Sequence, residues 1–157
     1  TDKLKKYLKK EKPKSIAIFA SVQFTNLQTL IKEIKKIGIK VNITKAKRTD
    51  EKLQILGCDC YSDSFQKPII ENSDLIIYVG DGLFHPKAIL LSQKNNKKIK
   101  PVVLFNPIAN SIDVIDKKDI DKQLTRYKRN IKMFLNSQSV GILVTIKPGQ
   151  QYFLLMR

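Results

Sequence analysis

Apolar positions along the chain switch repeatedly between two periods, and the switching predicts strands alternating with helices. Asp2 to Lys12 sets Leu4, Tyr7 and Leu8 at helical spacing among lysines, and Pro13 ends this short amphipathic helix. Ile16-Ala17-Ile18-Phe19-Ala20 follows as a compact apolar run of strand composition. Leu27, Leu30, Ile31, Ile34 and Ile37 then recur at three and four, with Gly38 as the C-cap of that helix. Ile39, Val41 and Ile43 predict a second strand, Leu75 to Val79 a third and Val102 to Phe105 a fourth. Runs that are apolar on both faces belong to parallel sheets covered on both sides. The expected fold is α/β, a parallel sheet flanked by helices and built from βαβ units with right-handed crossovers.

Beyond Pro107 the chain is expected to leave the sheet through a polar connection. It then enters a long amphipathic helix with Asp116 as N-cap and Ile120, Leu124, Tyr127, Ile131 and Phe134 on one face. Val140 to Ile146 predicts another strand, Lys147-Pro148-Gly149-Gln150 a turn, and Gln151 to Arg157 the start of a helix. The expected division is a linker helix over 1–12, an α/β domain over 13–116, and a connecting helix with the opening strand of a following domain over 117–157. The pattern stops in mid-element, which reads as a fragment of something larger.

A chain of 157 residues is long enough for one complete core, burying roughly 70% of the surface of its extended form. No apolar run approaches the roughly 20 residues that span a bilayer, so the expectation is a soluble, intracellular, cytoplasmic protein without a membrane partner. The formal net charge of +16 would ordinarily point to a polyanion. The charge is nearly all lysine, however, with Arg48, Arg126, Arg129 and Arg157 as the arginines, and it lacks the interleaved exposed aromatics of single-strand binders. Nucleic acid is therefore not favoured as a partner.

Candidate chemistry collects on two glycine-broken segments. Gly57-Cys58-Asp59-Cys60 carries both cysteines, too close together for a secreted disulfide framework and too few for a zinc shell. A thiolate here suits a soft metal or an iron-sulfur site, with Gly57 letting the backbone approach a bulky inorganic group; a small buried hydrophobe is the plainer reading of either thiol. Gly80-Asp81-Gly82 follows the third strand directly, at the carboxyl edge where open parallel sheets bind ligands. Its glycine amides suit a carboxylate or phosphate and Asp81 suits an amine or hydroxyl, although a tight turn explains the glycines equally well. His85 is the single histidine, placed to donate to an anionic ligand or act as a base, with a structural hydrogen-bonder as the plainer reading, and Pro86 is expected at the first position of the next helix. Nothing resembles a Ser-His-Asp triad or a paired-carboxylate site.

Taken in order, Leu56-Gly57-Cys58, Val79-Gly80-Asp81-Gly82-Leu83-Phe84-His85-Pro86, Phe105-Asn106-Pro107, Arg126-Tyr127 and Lys147-Pro148-Gly149-Gln150 resemble the iron-sulfur component of the diphthamide synthase family, from about Ser15 onward. The resemblance implies one domain of a normally three-domain protein, each domain giving one cysteine to a 4Fe-4S cluster that leaves an iron open for S-adenosylmethionine. It further implies radical chemistry that transfers the 3-amino-3-carboxypropyl group of that cofactor to a histidine of translation elongation factor 2. Cys58 matches the cysteine of the middle domain; Cys60 matches no ligand position and is taken as a passenger. Gly80, Asp81 and Gly82 would line the cofactor cleft, His85 would order the loop, Gln150 would approach from the adjoining domain, and no residue of this chain is assigned catalysis. Implied partners are elongation factor 2 as substrate, a second copy or a related subunit, and an electron-donor protein. With the other two cysteines missing, the isolated chain is expected to be inactive. A noncatalytic partner subunit or scaffold domain of the same complex is the alternative, and an RNA-associated module, motivated by charge alone, ranks last.

Overall fold

A computed structural model describes residues 2–141. The strand expected over Val140 to Ile146, the turn with Gln150 and the helix after it thus lie outside the described residues, apart from Val140 and Gly141. The chain falls into two compact units, residues 1–122 and 123–157.

The first unit is built on a five-stranded sheet. Its strands are β1 (Ser15–Ala20), β2 (Lys40–Asn42), β3 (Leu75–Val79), β4 (Val102–Asn106) and β5 (Ser111–Ile115), in the order β2-β1-β3-β4-β5. The first four run parallel, with Ile18 opposite Ile77 and Ile77 opposite Val103. β5 is antiparallel to β4. The chain therefore does not leave the sheet at Pro107, as the sequence suggested, but doubles back. The reason is local: the Asn106 Oδ1 accepts from the Ile108 and Ala109 amides and Asn110 adopts a left-handed conformation, which closes a tight reversal.

Alternation along each strand divides its side chains between two helical layers. Ile16, Ile18 and Ala20 of β1, Leu75, Ile77 and Val79 of β3, and Val103 and Phe105 of β4 meet Leu30, Ile31 and Ile34 of helix α2 (Gln28–Lys36). Leu4 and Leu8 of helix α1 (Asp2–Glu11) join this core without solvent exposure, so the segment expected as a linker packs on the sheet face that also includes Ile112. On the opposite face Phe19 packs on Phe65 and Tyr78 on His85 of helix α3 (Phe84–Ser92). Pro86 stands third in α3 rather than first; any first-turn position spares it the missing amide. The α2 helix ends at Gly38, whose positive φ of 82° provides the left-handed cap.

The Asp116 side chain caps the turn 117–120 through the Lys118 amide, and Asp119 returns the bond to the Asp116 amide. In the second unit, helix α4 (Asp121–Leu135, whose first residues belong to the first unit) carries Leu124, Tyr127, Ile131 and Phe134 at the expected spacing and has no buried residue. No helix among the described residues is long and apolar enough to cross a membrane.

At the amino edge of the sheet, β1 and β3 are clamped by a reciprocal contact. The Asp74 carboxylate accepts from the Ser15 amide at 2.8 Å and the Ser15 hydroxyl at 3.1 Å. These bonds, the Ser15 amide first, hold the Asp74 carboxyl below its ordinary value. A group depressed in the folded chain stabilises it above the unfolded value near pH 3.9 and loses that contribution as pH falls through the folded value. Asp74→Asn is expected to cost about 1 kcal/mol at neutral pH, the bonds being exposed. Urea midpoints measured from neutral to acidic pH should show that difference shrinking once the native carboxylate protonates.

Candidate functional site

The strand order makes β1 and β3 neighbours whose onward connections go to opposite sides, through α2 to β2 and through α3 to β4. Loops leaving such a pair part company and open a crevice at the carboxyl edge. Backbone bonds run past the strand ends to shape it. The Ser21 amide donates to the Val79 carbonyl at 3.0 Å and the Gly80 amide to the Phe105 carbonyl at 3.0 Å.

The cysteine segment is brought to the same edge by β1. The Ala20 amide donates to the Leu53 carbonyl at 2.8 Å, and the Ile55 amide donates back to Ala20 at 3.1 Å. Buried Leu53 and Ile55 anchor this stretch, after which the Asp59 amide turns back onto the Leu56 carbonyl at 2.9 Å. Asp59 is itself buried, and its carboxylate accepts from the Arg48 amide at 2.8 Å. That turn presents Cys58 outward, exposed, while Cys60 is 1% exposed with its thiol donating to the Gly57 carbonyl at 3.4 Å. Burial, helped by neighbouring Cys58 and Asp59, pushes the Cys60 thiol up to about 12, which makes its free thiolate scarce at neutral pH.

The two motifs touch through Gly57 and Phe84. A Cβ on Gly57 would collide with the Phe84 ring, so this glycine is needed for close approach to an aromatic of the Gly80 to Pro86 loop. Phe84 is 73% exposed and also meets His85 edge-on at 5.2 Å between centroids. The two loop glycines differ in purpose. Gly82 has a φ of 68°, which favours glycine, whereas Gly80 lies against Tyr78, its Cβ direction 2.8 Å from the phenol oxygen. With its amide committed to Phe105, Gly80 has no amide to give an anion, contrary to the sequence expectation. Asp81 is exposed beside it.

His85 is half-buried, and desolvation lowers its pKa despite the opposing Asp81 carboxylate. Its Nδ1 is buried, as are the Tyr78 and Ser21 hydroxyl oxygens, and none of the three has a hydrogen-bond partner among the described residues. Sequence reading placed His85 in the site but took Tyr78 as an ordinary strand residue and gave Ser21 no part. Their only signal was position, at and just past the ends of the two switch-point strands. Cys58, Gly80, Asp81, Gly82 and His85 thus gather at one edge, and Gln150 falls outside the described residues.

Known proteins carry the same fold. The sequence profile of the diphthamide synthesis proteins matches residues 1–157. The 2-(3-amino-3-carboxypropyl)histidine synthase of Methanocaldococcus jannaschii is 28% identical over 133 residues, covering 80% of this chain and 35% of the relative. The crystal structure of Dph2 from Pyrococcus horikoshii superposes with a TM-score of 0.70 at 22% identity, covering 96% of this chain and 42% of that one. The structure of the same protein with a 4Fe-4S cluster gives a TM-score of 0.70 at 21% identity, with the same coverage. The chain thus spans well under half the length of the relatives it matches.

Two measurements test this geometry. Cys58 should react with iodoacetamide at least about a hundredfold faster than Cys60 under native conditions, read by peptide mass mapping; comparable rates would contradict the outward turn. Gly80→Ala should lower stability by about 2 kcal/mol because Tyr78 has no exposed route of escape, and Gly57→Ala should cost less because Phe84 can swing into solvent.

Proposed function

The chain belongs to the diphthamide synthesis protein family, and from that premise we propose that it is part of a 2-(3-amino-3-carboxypropyl)histidine synthase acting in the first step of diphthamide biosynthesis. The observation that carries this reading is the exposed Cys58 thiol, held at the carboxyl edge of the sheet with its preceding glycine packed on the Gly80 to Pro86 loop.

The donor set sets the terms on which this chain meets an iron-sulfur cluster. Among the described residues no three His, Cys, Asp or Glu side chains gather as a metal site. Cys60 is turned inward, and the whole sequence has no third cysteine. Cys58 suits one thiolate position of a 4Fe-4S cluster whose other ligands come from outside this chain. Such a cluster, when bound, would supply an electron and an open iron for cleaving S-adenosylmethionine, whose 3-amino-3-carboxypropyl group goes to a histidine of elongation factor 2. The residues of this chain bind and orient: Cys58 anchors, Gly82 lets the loop turn sharply, Asp81 offers an acceptor to a cationic group, and Phe84 walls the crevice with the buried Tyr78 behind it. His85 orders that wall.

Large apolar side chains exposed at the ends of β1, β3 and β4 support the need for further protein there. Val22 is 59%, Phe84 73% and Ile108 83% exposed, apolar surface that a protein neighbour at this edge would cover. A translation factor as substrate makes the working location the cytoplasm, with a second or related subunit and an electron donor as partners.

Anaerobic reconstitution with iron and sulfide tests the assignment. The isolated chain should hold no stoichiometric cluster by visible absorption and electron spin resonance. A complete assembly carrying the remaining cysteines should acquire one and lose most of it on Cys58→Ala, while Cys60→Ala keeps it. A cluster surviving Cys58→Ala intact would overturn the reading.

A further inference from the structure

Ser21, Tyr78 and His85 come from three elements and converge beneath the Gly80 to Gly82 turn. Tyr78 is fully buried and Ser21 is 7% exposed. The Tyr78 and His85 rings lie 5.9 Å apart between centroids, tilted by 42°. The Ser21 amide bond to Val79 places its side chain at the same level as the glycine turn, and the Tyr78 phenol oxygen lies against Gly80. Ser21 stands near enough to the Tyr78 hydroxyl to work against the upward shift that burial gives the phenol, yet the two do not reach hydrogen-bond geometry. Three buried polar atoms, each lacking a protein partner among the described residues, thus belong to side chains grouped around this one turn.

Leaving such buried groups unpaired is costly, and three grouped around one turn point to a shared partner. A water needs two to four polar contacts to be held inside a protein, and this cluster offers three. His85 lies in the first turn of α3, which starts without a capping side chain. The positive end of a nine-residue helix favours a lone pair over a proton on the inward-facing nitrogen. We propose that Ser21, Tyr78 and His85 Nδ1 hold a single bound water that donates to Nδ1 and fixes the imidazole as its Nε2–H tautomer. Tyr78 and Ser21 are then positioning residues. Through the water they hold the outer edge of the half-buried ring as a neutral donor, facing a hydrogen-bond acceptor such as a carboxylate bound at the crevice.

Only that last orientation rests on the proposed cofactor cleft; the tautomer is a property of the chain itself. The single histidine makes it directly readable, because long-range proton–nitrogen correlation of the whole chain at about pH 8, above the ordinary histidine value, shows one imidazole. The expected native spectrum has an unprotonated Nδ1 displaced toward the hydrogen-bonded position, with Nε2–H favoured by about tenfold over the other tautomer. Tyr78→Phe and Ser21→Ala should each return the Nδ1 resonance toward that of free imidazole, and Ser21→Thr should restore it. A well-dispersed amide spectrum confirms folding, and if Tyr78→Phe unfolds the chain the serine pair carries the test. A native Nδ1–H, or an Nδ1 resonance indifferent to loss of either hydroxyl, overturns the proposal whatever Cys58→Ala does to cluster retention. A native water-bound tautomer beside a cluster that ignores Cys58 would instead leave this inference standing and remove the functional reading.

Discussion

Backbone hydrogen bonds that continue beyond the ends of β1 and β3 hold the candidate site together. Within the sheet these strands are paired over five residues, from Ile16 opposite Leu75 to Ala20 opposite Val79. One residue further on, the Ser21 amide still reaches Val79, while Ala20 has already captured Leu53 and Ile55 on its other side. A buried amide or carbonyl must be paired, so the last turn of the sheet is completed by a segment more than thirty positions away in sequence. The thiol-bearing turn is thereby tied to the paired strands rather than left on a free loop.

What the sequence discloses follows from how local the cause is. β3 was legible because Leu75 to Val79 is apolar without a break, and all five residues are buried. α2 was legible from its spacing and from Gly38. β5 was not, although Ile112 and Val114 alternate with polar neighbours, because the Asn106 side-chain bonds that reverse the chain depend on two particular amides. The burial of α1 was hidden for a different reason: a lysine-rich surface says nothing about where Leu4 and Leu8 dock, and only the sheet face supplies their partners.

Within the site the same division holds. Cys58, Gly80, Asp81, Gly82 and His85 could be picked out because their residue types carry chemistry. That the two motifs meet could not, since the contact is made by Gly57 against Phe84 across an irregular segment. Gly57 was read as room for an inorganic group and Gly80 as a source of a free amide. Gly57 lies beneath an exposed ring, and Gly80, its amide bonded to Phe105, lies beneath a buried phenol. Ser21 and Tyr78 were invisible because serine after a strand and tyrosine within one are ordinary, and only burial without a partner sets them apart.

These features together bear on why a basic, lysine-rich chain keeps a polar cluster in its interior. The positive charge lies outside: Lys5 pairs with Glu33 and Asp2 at the surface, and Lys100 turns its ammonium to the carbonyls of Ile70, Glu71 and Ser73. At the opposite edge the inward groups Ser21 and Tyr78 are neutral, and burial biases His85 toward its neutral form. A neutral donor set at this edge adds no buried positive charge to a chain that is already strongly basic. Orientation there comes from dipoles and hydrogen bonds, with net charge left to the exposed Asp81.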